Sequence, residues 1–322
     1  MKLRIIYEMI MGKGLREDLR PRKSVEEALK NNARIYKKAR GDEKDFFDKE
    51  TLKNPYADTR ILNGTGAEDI KNVLVGIDID VSEILLADRL REKGMDIDLV
   101  LSHHPSGRAL AQLDKVMDIQ PAIWEKYGFT EDIARGVMKG RKDDVALSVS
   151  AANHYRASDA AKLLGIPLMC AHTAADNCVA GFLQKAFDKK KPKKLADVID
   201  MLNGIPEYRH AAKGGSAPFI LLGKKEDMAG RIFVDMTGGT SGPDGMFARL
   251  SQSGIGTVVG MHCKESAYKT AKSEFIKYVI AGHIASDNLG MNLLLDAVEE
   301  KCGLNIIECS GFRRVRRRSR GR

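Results

Sequence analysis

From residue 71 onward the chain alternates short apolar runs with segments whose apolar residues recur at helical spacing. "NVLVGIDI" is a β-branched run, "SEILLADRLREKG" is a helix opened by Ser82 and closed by Gly94, and "DIDLVLS" is a second strand. That order is a βαβ unit, which pairs its strands in parallel and gathers functional groups at their C-terminal ends. The pattern continues with "SDAAKLLG" as helix, "IPLMCAH" as strand and "NCVAGFLQKAFDKK" as helix, followed by the solvated connection "KKKPKK". Beyond it, "LADVIDMLNG" is helical, "PFILLG" and "RIFVDM" are strands, and the glycine-rich turn "GGTSGPDG" leads into the helix "MFARLSQSG". Strand "GTVVGM", helix "ESAYKTAKSEF", strand "KYVIAG", helix "DNLGMNLLLDAVEEKCG" and strand "NIIECS" complete the series. This alternation predicts an α/β fold. Before it, residues 1–70 are polar and show helical spacing in "SVEEALKNNARIYKKA", where Ser24 can cap and Val25, Leu29 and Ile35 form a partial stripe.

One similarity recurs within the chain. "LMCAHTAADNCVAG" and "YVIAGHIASDNLGMN" share a histidine, then Asp-Asn, directly after an apolar strand, aligning His172 with His283 and Asp176 with Asp287. The expected organisation is therefore two similar α/β lobes around a metal-binding cleft, with an N-terminal helical extension over 1–70. Lobe I (71–190) carries His103, His104 and Asp176, and lobe II (191–311) carries His283 and Asp287. An arginine-rich tail (312–322) is expected to be disordered.

Charge changes this picture only at the end of the chain. The formal net charge is +9, but "FRRVRRRSRGR" holds seven arginines, leaving about +2 for the rest. Such a tail either stays solvated or binds a polyanion by counterion release, so any nucleic-acid partner is expected through it alone. Aromatic residues are 6% of the chain with Trp124 the one tryptophan, which argues against stacking platforms for single strands. Five cysteines (Cys170, Cys178, Cys263, Cys302, Cys309) form no C-x-x-C pair, so neither a disulfide framework nor a thiolate zinc site is indicated. The apolar stretch near the N-terminus is broken by Glu8 and is too short for a signal core or a membrane span. A cytoplasmic protein with no membrane partner is expected.

The chemistry concentrates at "DLVLSHHPSGRAL". Neighbouring residues of a strand point to opposite faces, but Pro105 ends the ladder, so His103 and His104 can fan into one cavity. Two diverging imidazoles suit a pair of ions about 3.5–4 Å apart. Asp176, His283 and Asp287 also follow apolar strands, where an α/β sheet collects its active site. Three imidazoles and two carboxylates suit two divalent ions such as Zn, Fe, Mn or Co, and a carboxylate can bridge them. Ions of this kind acidify water and make it a nucleophile for hydrolysis. His172 is either a sixth ligand or a residue that orients Asp176 or a bound water, and Asp78 is either a general base or a partner to a ligand. Asp80 is placed with Asp78 in the first strand. The loop Gly238–Gly245 is either a turn or an anion cradle. Cys178 is expected in the core, and His154 and His210 have no assigned role.

These segments resemble the Ngg-interacting factor 3-like family of dinuclear-metal proteins, often described as GTP cyclohydrolase type 2 homologues. "SHHP", "AHTAAD" and "GHIASD" match its H-H-P, H-T-x-x-D and G-H-x-x-S/T-E segments, and "VGIDIDVSEILLADRL" resembles its early strand and helix, with Asp78 at the position of its usual aspartate. The resemblance spans roughly Val73 to Cys309. It departs at Asp287, where the family usually has glutamate, and at "VGMHCKESAY", where His262 and Glu265 stand near the family's second histidine pair. It implies a metal-dependent hydrolase of a small heterocyclic or nucleotide-like substrate, assembled as a homo-oligomer, commonly a hexamer. A non-catalytic metal-binding regulatory or interaction protein is the alternative. A D-H-H-type phosphoesterase is a third reading, weakened because Ser102 stands where that family has aspartate.

Overall fold

The computed structural model describes residues 1–317. Its strands are β1 (Thr59–Asn63), β2 (Asn72–Gly76), β3 (Leu99–Ser102), β4 (Leu168–Ala171), β5 (Phe219–Leu222), β6 (Arg231–Asp235), β7 (Ile255–Gly260), β8 (Lys277–Ile280) and β9 (Asn305–Glu308). They form two mixed sheets, ordered β1-β4-β3-β2-β9 and β5-β8-β7-β6. The second sheet repeats the first four positions of the first. In each, an antiparallel edge strand (β1, β5) lies beside the last of three parallel strands, with a register shift at the matching place, Ile61/Asn63 and Ile220/Leu222. The motif seen twice in the sequence is thus one topology built twice, and the α/β class is as expected. β3 and β4 are buried along their whole length, which is why they read as continuous apolar runs rather than alternating ones.

Two long helices, Thr173–Lys190 after β4 and His283–Glu299 after β8, pack against each other and bring the ends of the two sheets together. A Cβ added at Gly290 would lie 2.5 Å from the carbonyl oxygen of Ala175, so only glycine permits this approach. Gly290→Ala is expected to cost about 1–3 kcal/mol through overpacking. It should also lower metal uptake, because the same crossing sets the separation of Asp176 and Asp287. Urea unfolding and elemental analysis check the two effects.

The N-terminal helices are present, but the segment is not an appendage. Leu3, Ile6, Tyr7 and Ile10 of helix Leu3–Glu17 are buried in the main core, and Gly14 packs on Ala174. Residues 59–63 supply the antiparallel edge of the first sheet, and β9, from the far end of the chain, supplies its other edge. Two caps differ from expectation. The helix Arg22–Lys38 begins before Ser24, and Asp80, not Ser82, caps Val81–Glu92 in a capping box with Glu83. β2 ends at Gly76, so Asp78 and Asp80 lie beyond the strand.

The tail reading is corrected over 312–317. Phe312 is fully buried, and Arg314, with a side chain 4% exposed, bonds Asn292, Asp296 and Glu299. Arg317 grips both oxygens of Glu207 at 2.7 Å, and Arg313 and Arg316 pair with Glu308 and Glu299. Counting charge along the sequence hides these acids, which the fold brings from positions 207, 296, 299 and 308. The expected disorder and polyanion binding of residues 318–322 lie outside the described residues. Burial works against the Glu299 charge, but Arg316 and Arg314 overcome it and hold the carboxyl below 4.5. The stabilisation from this clamp is full above the ordinary carboxylate range and is lost as pH falls through the depressed value. Arg314→Ala is therefore expected to destabilise the protein at pH 7 and to do so less as pH falls below the ordinary carboxylate range, while the contacts to Asn292 and Val315 keep part of the effect, as read from denaturant midpoints across that range. No helix of the described residues is long and apolar enough to cross a membrane.

Candidate metal centre

At the end of β3 the N–H groups of His103 and His104 donate to successive carbonyls, Gly76 and Ile77, each at 3.0 Å. A regular strand directs alternate N–H groups to one neighbour, so the backbone has left the pleat here. Both imidazoles consequently enter one space, with ring centroids 4.9 Å apart. His172 is the N-cap residue of helix Thr173–Lys190 and Asp176 lies in its first turn; His283 is the first residue of His283–Glu299 and Asp287 follows it just past the first turn. The Asp176 carboxylate therefore sits near the positive end of a helix dipole.

These six side chains converge. His103 Nε2 lies 3.4 Å from Asp287 Oδ1 and 3.6 Å from Asp176 Oδ1. On the other side of the same carboxylate, Asp287 Oδ2 is 3.7 Å from His104 Nε2 and 3.6 Å from His283 Nε2. Two ligands of one tetrahedral ion, each about 2.1 Å from it, stand about 3.4 Å apart. His103, Asp176 and Asp287 form one group of suitable donors and His104, His283 and Asp287 another; His172 joins His103 and His104 in a third.

Both ring nitrogens of His103 and both oxygens of Asp287 are buried without a hydrogen-bond partner among the described residues. Burying an unpaired carboxylate is costly, and a metal ion is a partner that these groups could hold. Burial would raise Asp287, but His103, His283 and His104 hold its carboxyl below 3.8. Burial raises Asp176 to about 6, against the pull of His172 and His103. His104 is pushed down to about 4 by burial and by His103 and His172, so its ring is neutral and free to ligate. His172 goes the other way: burial opposes its charge, yet Asp176 and Asp58 bring it up to about 9.

One solved structure supports the family assignment. A NIF3 superfamily protein from Sphaerobacter thermophilus matches at TM-score 0.70 and 27% identity, over 81% of this chain and 94% of that one. The chain is a NIF3-like protein. Weaker matches are reduced HcgD from Methanocaldococcus jannaschii (TM-score 0.44, 15% identity, 76% and 86% coverage) and TTHA1606 from Thermus thermophilus (0.45, 16%, 80% and 90%). Neither a protein-family model nor a curated protein sequence matches the chain.

In this NIF3-like site two carboxylates orient the rings that face the centre. Asp78 Oδ1 meets His104 Nδ1 at 2.6 Å, and Asp58 Oδ2 meets His172 Nδ1 at 2.8 Å, which in each case leaves Nε2 turned inward. A carboxylate behind an imidazole fixes its tautomer and raises its basicity as a ligand. Asp78 thus stands beside His104, and His172 stands among the donors. Asp58 escaped the sequence reading because it precedes β1 in a segment whose pattern reads as helical; the aspartate in "YADTRILN", just before a strand-former run, was the available signal.

The donors form one wall of a cavity of about 290 Å³. Its other wall includes Leu110, Leu113, Met236, Met261 and the loop residues Thr237, Gly239, Thr240 and Ser241. His262, two residues past β7, lines the same cavity with its ring 5.1 Å from that of His283. Glu265 instead begins the exposed start of helix Glu265–Ser273 and is not among the lining residues. Asp235, at the C-terminal end of β6, also lines the cavity, and burial pushes its carboxyl up to about 7. His154 bonds a backbone carbonyl at 2.7 Å, His210 lies in a separate pocket, and Cys178 is in the core.

Proposed function

We propose that this NIF3-like chain is a dinuclear-metal-dependent hydrolase of a small heterocyclic or nucleotide-like compound. The ligands are His103, His104, Asp176, His283 and Asp287, with His172 as the sixth. The observation that carries this reading is the division of Asp287, whose two oxygens face different histidine groups as a bridging carboxylate requires. Two divalent ions held there would supply Lewis acidity and an acidified water. The chain's own groups do the rest. Asp78 and Asp58 hold the rings of His104 and His172 in the ligating tautomer, and the apolar wall of Leu110, Leu113, Met236 and Met261 limits access of bulk water. Asp235, whose carboxyl burial pushes up to about 7, is suited to take and return a proton in the same cavity.

The test is turnover of GTP and a panel of phosphoesters by the full chain loaded with Zn, Fe, Mn or Co, before and after chelation. Turnover that requires the metal supports the hydrolase. Turnover that survives chelation overturns it, and bound metal without turnover of any compound favours a metal-binding regulatory protein instead.

A further inference from the structure

The two lobes differ behind their matching histidines. In the first, β1 runs antiparallel to β4 with Thr59 opposite Ala171, which brings Asp58 beside His172. Its carboxylate meets His172 Nδ1 at 2.8 Å and accepts from Thr173 Oγ1 at 2.7 Å and from the Thr173 N–H at 3.4 Å. In the second, β5 runs antiparallel to β8 with Phe219 opposite Ile280, so counting back along that pair sets Ser216 opposite His283. The chain ends stay close there, since the Ser216 carbonyl oxygen is 3.9 Å from where a Cβ on Gly282 would stand. The second lobe therefore has a serine where the first has the carboxylate that backs its histidine.

The counterparts of the groups that Asp58 satisfies are free in the second lobe. His283 Nε2 faces Asp287 at 3.6 Å, which leaves Nδ1 as the other ring nitrogen, and no hydrogen bond to it is formed among the described residues. The N–H of Ile284, which follows His283 as Thr173 follows His172, also has no acceptor among them. The His283 side chain is 42% exposed, against 9% for His172. Asp78 stands behind His104 and Asp58 behind His172, whereas no carboxylate stands behind His283.

A second pocket of about 470 Å³ opens at this place, and Ser216, Gly282, His283 and Ile284 all line it. His283 thus belongs to both this pocket and the metal cavity. The remaining lining is apolar at Ala211 and Val315 and basic at His210 and Arg313. Arg313 Nη1 donates to the Phe312 carbonyl and lies 3.7 Å from Glu308, while its Nε and Nη2 have no acceptor among the described residues. The one acid in the lining, Glu207, has both oxygens held by Arg317 at 2.7 Å, so its charge is already matched.

We propose that this pocket binds a small monocarboxylic acid with an apolar body, whose carboxylate stands behind His283 as Asp58 stands behind His172. Its two oxygens can accept from His283 Nδ1 and the Ile284 N–H, with Arg313 offering a charge-assisted bond. An alcohol or an amine would leave these donors unmatched. A carboxylate behind an imidazole fixes its tautomer and makes it a more basic ligand, so the acid is an effector that tightens metal binding. Metal must then tighten binding of the acid by the same factor. This coupling rests on His283 being a metal ligand, but the pocket does not.

The experiment uses the full chain, with hexanoate as the probe and hexanol as its uncharged control. Calorimetry on the chelated protein is expected to show hexanoate bound at least tenfold more tightly than hexanol. Arg313→Ala should weaken hexanoate about fivefold or more. Ser216→Asp, which supplies the carboxylate from the chain itself, should repel hexanoate and weaken it about tenfold or more. Zinc dissociation constants measured by chelator competition should fall about tenfold when hexanoate is added to wild type. In Ser216→Asp they should already be low and no longer respond. Circular dichroism shows whether each variant is folded. If chelated wild type does not bind hexanoate, or if both folded variants bind it as wild type does, the pocket assignment is refuted. Hexanoate that binds without changing zinc affinity refutes its contact with His283. Hexanoate that binds only with zinc and ignores both substitutions is a ligand of the metal, which also overturns the proposal. Intact coupling without turnover of any compound would refute the hydrolase reading alone.

Discussion

Asp287→Ala is expected to weaken both metal positions at once, because two of the three donor groups each draw one oxygen from this carboxylate. Metal content should fall from about two equivalents to about one or less, since the group of His103, His104 and His172 survives the change. Affinity should drop by more than the roughly 10–100-fold that follows removal of an outer partner. The apo protein is affected as well. Asp287 is buried with neither oxygen hydrogen-bonded, but His103, His283 and His104 hold its carboxyl below the ordinary range, so at pH 7 its charge stabilises the chelated fold. The chelated variant should therefore unfold at a lower temperature than chelated wild type and should also lose the stabilisation that added metal gives wild type. Asp287→Glu, which restores the residue usual in the family, should keep bound metal. An Asp287→Ala protein that is stabilised by added metal as much as wild type would mean that the carboxylate is not a ligand.

The parts of this centre that were legible in the sequence are those set by local order. A strand ended by proline places His103 and His104, and two strand-to-helix turns place His172 with Asp176 and His283 with Asp287. Each group spans only a few residues, and the repeat announced that the last two are alike. Contacts that depend on long-range pairing were hidden. Asp58 reaches His172 because β1 runs antiparallel to β4, with Thr59 opposite Ala171, and nothing near residue 58 records that neighbour. The arginines after Phe312 read as free charge because their acids come from two helices and a strand that meet only in the fold. Helix Leu3–Glu17 was obscured for a related reason. Its buried stripe is interrupted in sequence by Arg4, Glu8 and Lys13, which face outward on the same turns.

Asp58 also yields the second large effect. It is fully buried, bonds His172 Nδ1 at 2.8 Å and Thr173 Oγ1 at 2.7 Å, and helps to bring His172 up to about 9. In the chelated protein near pH 7 that imidazole carries a proton, which metal must displace. Wild-type affinity should therefore climb with pH, approaching a factor of about ten per unit for this proton, and level off near pH 9. Asp58→Ala removes a source of the raised value, so the climb should end at lower pH. On that plateau the affinity should still be about 10–100-fold weaker than wild type, since the ring is no longer held in the ligating tautomer or made more basic. Asp58→Asn can still accept from Nδ1 and should lose less. Dissociation constants measured against a chelator from pH 6 to 9.5 separate the outcomes. If the Asp58→Ala curve parallels wild type at every pH with no loss on the plateau, His172 is not a ligand and the centre is completed by the other five residues.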